Sequence, residues 1–94
     1  MYMDRQVLYK ITIKGRVQGV GFRHSARSNA RYHGITGYVK NEADGSVYIE
    51  AEGSRNQLDE FIKWCKKGPG FGHVDDIKID TSLPKNYSSF EIRY

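Results

Sequence analysis

Residues 15–23 read GRVQGVGFR: three glycines and two arginines in nine positions, with no acidic residue. Glycine adopts positive φ without a Cβ penalty, so Gly15, Gly19 and Gly21 let the backbone curl and aim successive N–H groups inward. A helix starting just after them would add its unpaired N-terminal N–H groups and the positive end of its dipole. Arg23 falls in the first turn of such a helix, where a guanidinium fork can meet two oxygens of one tetrahedral group. The chemistry on offer is the grip of a doubly charged tetrahedral anion. The spacing, G-x-x-x-G-x-G with an arginine two residues on, matches neither G-x-x-x-x-G-K-[ST] nor G-x-G-x-x-G. The plainer alternative is that the glycines serve only a tight strand-to-helix turn.

The flanking elements decide where that loop would sit. Val7, Tyr9, Ile11 and Ile13 alternate with Leu8, Lys10, Thr12 and Lys14, a strand pattern leading into the loop. Phe22, Ala26, Ala30 and His33 fall along one face of a helix over 22–33, which Gly34 is placed to end. Strands follow at 35–41 and 46–52, joined through Asp44-Gly45. Ser54 and Gln57 form the S-x-x-Q capping box of a helix over 54–67, with Leu58, Phe61, Ile62 and Cys65 inward. Gly68-Pro69-Gly70 breaks it, and strands over 74–82 and 88–93 flank a turn at Pro84-Lys85-Asn86.

This order, β-α-β-β-α-β with an extra C-terminal strand, predicts an α+β fold. The expected form is a ferredoxin-like two-layer sandwich, an antiparallel-dominated sheet with two helices on one face. The first crossover makes strands 1 and 2 parallel. The glycine-rich loop leaves the C-terminal end of strand 1, and Asn41 closes strand 2. Both therefore lie at one edge of the sheet, flanked by the Gly68–His73 loop.

The rest of the chain narrows the options. With 94 residues it is read as one domain, 1–94. No apolar run approaches the ~20 residues of a membrane span, and the stretch MYMDRQVLYK lacks an apolar leader core. One cysteine, Cys65, cannot form an intrachain disulfide, and with His24, His33 and His73 scattered no closed zinc site is expected. A cytoplasmic protein follows. The net charge is +4, but residues 1–31 hold seven basic side chains against Asp4 alone while the remainder is net negative. A basic first third points to an anionic partner.

The residues now on the page resemble the acylphosphatase family. GRVQGVGFR matches its signature, and the likeness continues through GITGYVKNEADGSVYIEAEG (34–53), helix 54–67, GPGFGHVDDI and a C-terminal tyrosine. The resemblance implies hydrolysis of the carboxyl–phosphate bond of small acyl phosphates, with inorganic phosphate as product and with no metal or cofactor. It also implies the fold argued above. Carried over, Arg23 would bind the phosphoryl group with the backbone N–H groups of Gln18, Gly19, Val20, Gly21 and Phe22, and Asn41 would position the attacking water. The chain departs from the family at GPGFGH, where GPP and a small residue are frequent, so the acyl side of the site is open to question. The expected state is a monomer acting on a small molecule, with no nucleic-acid or membrane partner.

A site with an arginine, an amide and backbone donors has no evident general base. For an acyl phosphate this suffices: the leaving carboxylate, conjugate to an acid of pKa about 4, departs unprotonated, and a loose phosphoryl transition state asks mainly for positioning and charge. A non-catalytic module binding phosphate or carbamoyl phosphate is the first rival. An RNA-recognition sheet is the second, but SVYIEAE lacks the aromatic motif of such sheets and carries Glu50 and Glu52. Those two glutamates are expected to be solvated or ion-paired at the surface. Asp75 and Asp76 should face opposite ways. His24 is expected at the surface, Lys40 exposed, Trp64 at the margin of the core, and Arg16, Arg27 and Arg31 either solvated or assisting anion attraction. His73, near the proposed edge, is the one histidine kept as a minor candidate for the site.

Overall fold

A computed structural model describes residues 5–94; what was read from Met1–Asp4 lies outside them. The elements are β1 (Val7–Arg16), α1 (Phe22–Tyr32), β2 (Thr36–Asn41), β3 (Val47–Gly53), α2 (Arg55–Lys67), β4 (His73–Ser82) and β5 (Phe90–Arg93). They make one sheet of order β4-β1-β3-β2-β5. β1 and β2 each pair antiparallel with the β3 between them, so they run parallel to one another. β4 is antiparallel to β1, and β5 adds parallel to β2. This is the ferredoxin-like α+β sandwich expected from the order of patterns.

Strand alternation builds the core. Tyr9, Ile11 and Ile13 of β1, Val39 of β2 and Val47, Ile49 and Ala51 of β3 share one buried cluster with Phe22, Ala26 and Ala30 of α1. Leu58, Phe61, Ile62 and Cys65 of α2 complete it. Phe61 stands edge-on to Phe90, with ring centroids 6.1 Å apart, which seats β5. The capping box of α2 is present in both halves: Gln57 N–H donates to Ser54 Oγ at 3.2 Å, and Ser54 N–H donates to Gln57 Oε1 at 2.8 Å. Gly34, with φ 73°, closes α1 by donating to the Arg31 carbonyl at 3.1 Å. Trp64 packs between Phe22 and Phe61, half-buried as expected of a margin residue. Among the described residues no helix is long and apolar enough to cross a membrane.

One glycine of the signature has a different duty from the one expected. β1 does not stop at Gly15 but runs to Arg16, with a shift in its register against β4 between Lys14 and Gly15. Gly15 has φ 136°, and a Cβ there would collide with the His73 carbonyl. It permits the close approach of β4, not the curl of the loop.

Glu50 is ion-paired, to Lys85, but neither it nor Glu52 lies at the surface as expected. They lie on the face of β3 away from the helices, which in an antiparallel sheet is commonly wet. Instead each is only 4% exposed, because the chain between β4 and β5 folds back over that face. Glu52 Oε1 accepts from the backbone N–H groups of Lys85 and Asn86 at 2.8 and 3.0 Å. Glu50 accepts from Tyr87 Oη at 2.6 Å, Tyr48 Oη at 2.7 Å and Lys85 Nζ at 3.0 Å. Two carboxylates thus tether the 83–89 strap to the middle of the sheet.

Burial alone would raise the Glu50 pKa, but the donors Tyr87, Tyr48 and Lys85 outweigh it and hold the carboxyl at about 2, against 4.5 unperturbed. A carboxyl depressed in this way contributes stability above its unfolded pKa and loses it as pH falls from about 4.5 to about 2. Urea unfolding across that window should show the wild type losing roughly 3 kcal/mol through this group. Glu50→Gln should have a flatter profile there, and parallel profiles for the two proteins would show that the tether is not electrostatic.

Candidate active site

The loop between β1 and α1 is anchored before it is shaped. Val17 is buried at 1% exposure, and Val20 packs against the core. Between and beyond them Gly19 and Gly21 take φ 75° and 77°. A Cβ on either would meet nothing within 4 Å, so glycine is needed there for its conformation and not for space. Gly21 is the N-cap of α1 and, lacking a side chain, offers no cap hydrogen bond; the first turn contains no acid. The first N–H satisfied at this end is that of Ser25, which donates to the Gly21 carbonyl at 3.1 Å. Among the described residues the backbone N–H groups of Gln18, Gly19, Val20 and Gly21 have no acceptor within the protein. Phe22 and Arg23 hold the next two positions, whose N–H groups have no intrahelical acceptor in any α-helix. A run of backbone donors at a positive helix end is what an anion needs.

Arg23 is half-buried and has no carboxylate partner among the described residues. Its guanidinium carbon stands 4.8 Å from the centroid of the Tyr94 ring, a cation–π contact that leaves the fork unpaired. Arg31 and Arg27 of the same helix are engaged differently. Arg31 is committed to the Phe90 carbonyl at 3.2 Å and to Glu91 at 3.6 Å, so it docks β5 and is not available to an anion. Arg27 approaches His24 Nδ1 at 3.4 Å on the exposed side of α1.

Asn41 reaches the same region from β2. It pairs in register with Val47, which pairs in turn with Ile13, the last core residue of β1 before the bulge. Its side chain is on the helix-facing side, in step with buried Val39. The link between Asn41 and the loop is Gln18, whose Nε2 donates to the Glu42 carbonyl at 2.8 Å and the Ser46 carbonyl at 2.9 Å. The glycine-rich loop is therefore bolted to the turn that begins one residue after Asn41. That turn is itself firm: Asp44 Oδ1 accepts from Ser46 Oγ at 2.6 Å and Ser46 N–H at 2.9 Å, and these bonds lower its pKa. Asn41 Oδ1 is buried without a hydrogen-bond partner. Leaving such an atom unpaired costs about 1–3 kcal/mol in a folded protein, and Asn29 Oδ1 on α1 is in the same condition.

The Gly68–His73 loop flanks this place as expected, since Arg16 pairs with His73 in register. His73 Nε2 lies 3.0 Å from Asp75 Oδ1, both exposed. Lys40 is half-buried and not exposed as expected, and its Nζ lies 3.8 Å from Glu42. A groove of about 720 Å³ runs elsewhere, between α2 and β4, over Tyr9, Ile62 and Ile79. None of the loop residues, nor Asn41, lines it. Two features of the site had no signature in the sequence: the Tyr94 ring beside Arg23, and the orphaned oxygen of Asn41. The first joins residues 71 positions apart and the second is a property of packing, so neither pattern nor spacing could show them.

Fold and site together define a ferredoxin-like α+β domain whose first helix presents a glycine-lined, uncapped N-terminus at the end of the sheet. The acylphosphatase family model matches residues 9–92. An acylphosphatase of Thermotoga maritima is 44% identical over 85 residues, covering 90% of this chain and 94% of its own. One from Archaeoglobus fulgidus is 44% identical over 88 residues, covering 94% and 99%. The crystal structure of acylphosphatase from Bacillus subtilis superimposes with a TM-score of 0.92 at 40% identity, over 94% of this chain and 99% of that one. The chain belongs to the acylphosphatase family.

Proposed function

We propose that the chain acts as its family does, hydrolysing small acyl phosphates to a carboxylate and inorganic phosphate. The observation that carries this reading is the bare N-terminus of α1: unpaired N–H groups, no cap, no acid, and an arginine without a carboxylate partner beside them. The phosphoryl oxygens take the N–H groups of Gln18, Gly19, Val20, Gly21 and Phe22 and the fork of Arg23. Asn41 holds the water through its unpartnered amide oxygen. The water oxygen bonds to phosphorus as the bond from phosphorus to the acyl oxygen breaks. The carboxylate leaves with the bonding pair, and the water's proton passes to a phosphoryl oxygen of the substrate. No general acid is called for, because the leaving group is already a weak base.

A single copy carries every residue of this reading, and we take the working form as a monomer in the cytoplasm. The strap over Glu50 and Glu52 supports a small-molecule partner over RNA, since it covers the sheet face that an RNA reader would use.

The test is hydrolysis of benzoyl phosphate in excess EDTA, with inorganic phosphate as inhibitor. Turnover that persists in EDTA and is competitively inhibited by phosphate is the expected result. A folded protein that binds phosphate but turns over no acyl phosphate would instead be the binding module.

A further inference from the structure

α2 ends at Lys67, and the chain reaches β4 through Gly68-Pro69-Gly70-Phe71-Gly72. One end of this turn lies against the first turn of α1 and the other against the anion loop. A Cβ on Gly68 would stand 3.5 Å from the Phe22 ring, and one on Gly72 would stand 3.3 Å from Val20 Cγ2 and 3.1 Å from the Arg16 carbonyl. The Gly72 N–H donates to the Pro69 carbonyl at 2.9 Å, closing a four-residue turn with Gly70 and Phe71 at its tip. Glycine at both ends therefore lets the turn sit directly against the loop at Arg16 and Val20 and against Phe22 in the first turn of α1.

Phe71 is 87% exposed, whereas Phe22, Phe61 and Phe90 are all at 1% or less. An aromatic ring is thus held in water, on a short turn whose two ends are seated on Val20 and Phe22. The cradle grips only the phosphoryl end of a substrate. The acyl end must project away from the helix terminus. We propose that this turn borders its path and that Phe71 is a specificity-determining residue whose ring packs against the acyl group and favours aromatic or bulky apolar acyl phosphates over short ones. The inference rests on the acyl phosphate reading above.

The test compares kcat/KM for benzoyl phosphate and acetyl phosphate in the wild type, Phe71→Ser and Phe71→Tyr, with phosphate inhibition alongside. Phe71→Ser should lower the value for benzoyl phosphate about three- to tenfold, the range of one lost aromatic contact. Acetyl phosphate turnover and phosphate inhibition should be unchanged, and Phe71→Tyr should keep the wild-type ratio. The side chain is exposed, so the variants should melt with the wild type. An equal loss on both substrates, or no change on either, overturns the role of Phe71 while leaving the hydrolase intact. A folded wild type inactive on both substrates overturns the underlying reading itself.

Discussion

Arg23→Lys should lower kcat/KM for an acyl phosphate by about 10²- to 10⁴-fold, although the charge is kept. Two charge-assisted hydrogen bonds from one planar fork are each worth about 1.5–3 kcal/mol, and an ammonium can reproduce only a point charge at that place. Lysine also loses the face that lies on the Tyr94 ring. The fold should not notice. Arg23 sits at the second position of α1 with no ion pair to lose among the described residues, and the two residues have similar helix propensity. The expected picture is an unchanged melting temperature, little turnover, and inhibition by inorganic phosphate weakened in step. Near-normal phosphate inhibition in the folded variant would remove Arg23 from the cradle.

Asn41→Ala should show the opposite division between binding and turnover. Losing one group that acts on the reacting water should cost about 10²- to 10³-fold in kcat, on the scale of one preorganised hydrogen-bonding group. Phosphate inhibition should stay close to that of the wild type, because the cradle and Arg23 are untouched. Stability supplies an independent check. The amide oxygen is buried and unpartnered, so deleting it relieves a desolvation cost that offsets the packing lost with the side chain. The variant should be as stable as the wild type or more so, by up to about 1 kcal/mol. A variant destabilised by about 2 kcal/mol or more would mean that the amide serves the fold. A rise in phosphate inhibition constant with unchanged kcat would make Asn41 a binding group.

The two variants also bear on how the site is kept together. Gln18 was read as a donor of its backbone N–H to the phosphoryl group, and nothing in that reading used its side chain. The side chain spans from the loop to the Glu42 and Ser46 carbonyls. Its amide thus fixes the loop's position relative to the end of β2. Asn41 and Arg23 are 18 positions apart in sequence, and this bridge, with the shared register through Val47 and Ile13, holds the loop and the end of β2 at one end of the sheet.

By itself the amino-acid sequence determined everything that depends on neighbours along the chain. Alternation set the strands, the Phe22-Ala26-Ala30 and Leu58-Phe61-Ile62-Cys65 stripes set the helices, and Ser54 with Gln57 set a helix start that the structure reproduces atom for atom. Handedness of the first crossover then put the glycine-rich loop and Asn41 at one end of the sheet. These are short-range rules, in which a residue's role follows from the few beside it. What only the tertiary structure decided depends on partners far away in sequence. Glu50 and Glu52 have the pattern of exposed strand residues, and they are buried because residues 30 or more positions later fold over them. Gly15 belongs to the same motif as Gly19 and Gly21, yet its conformation answers to the His73 carbonyl and not to the loop. The Tyr94 ring beside Arg23 and the burial of the Asn41 amide oxygen are of the same kind. Desolvation and close packing act on whatever the folded chain brings together, and no local pattern encodes them.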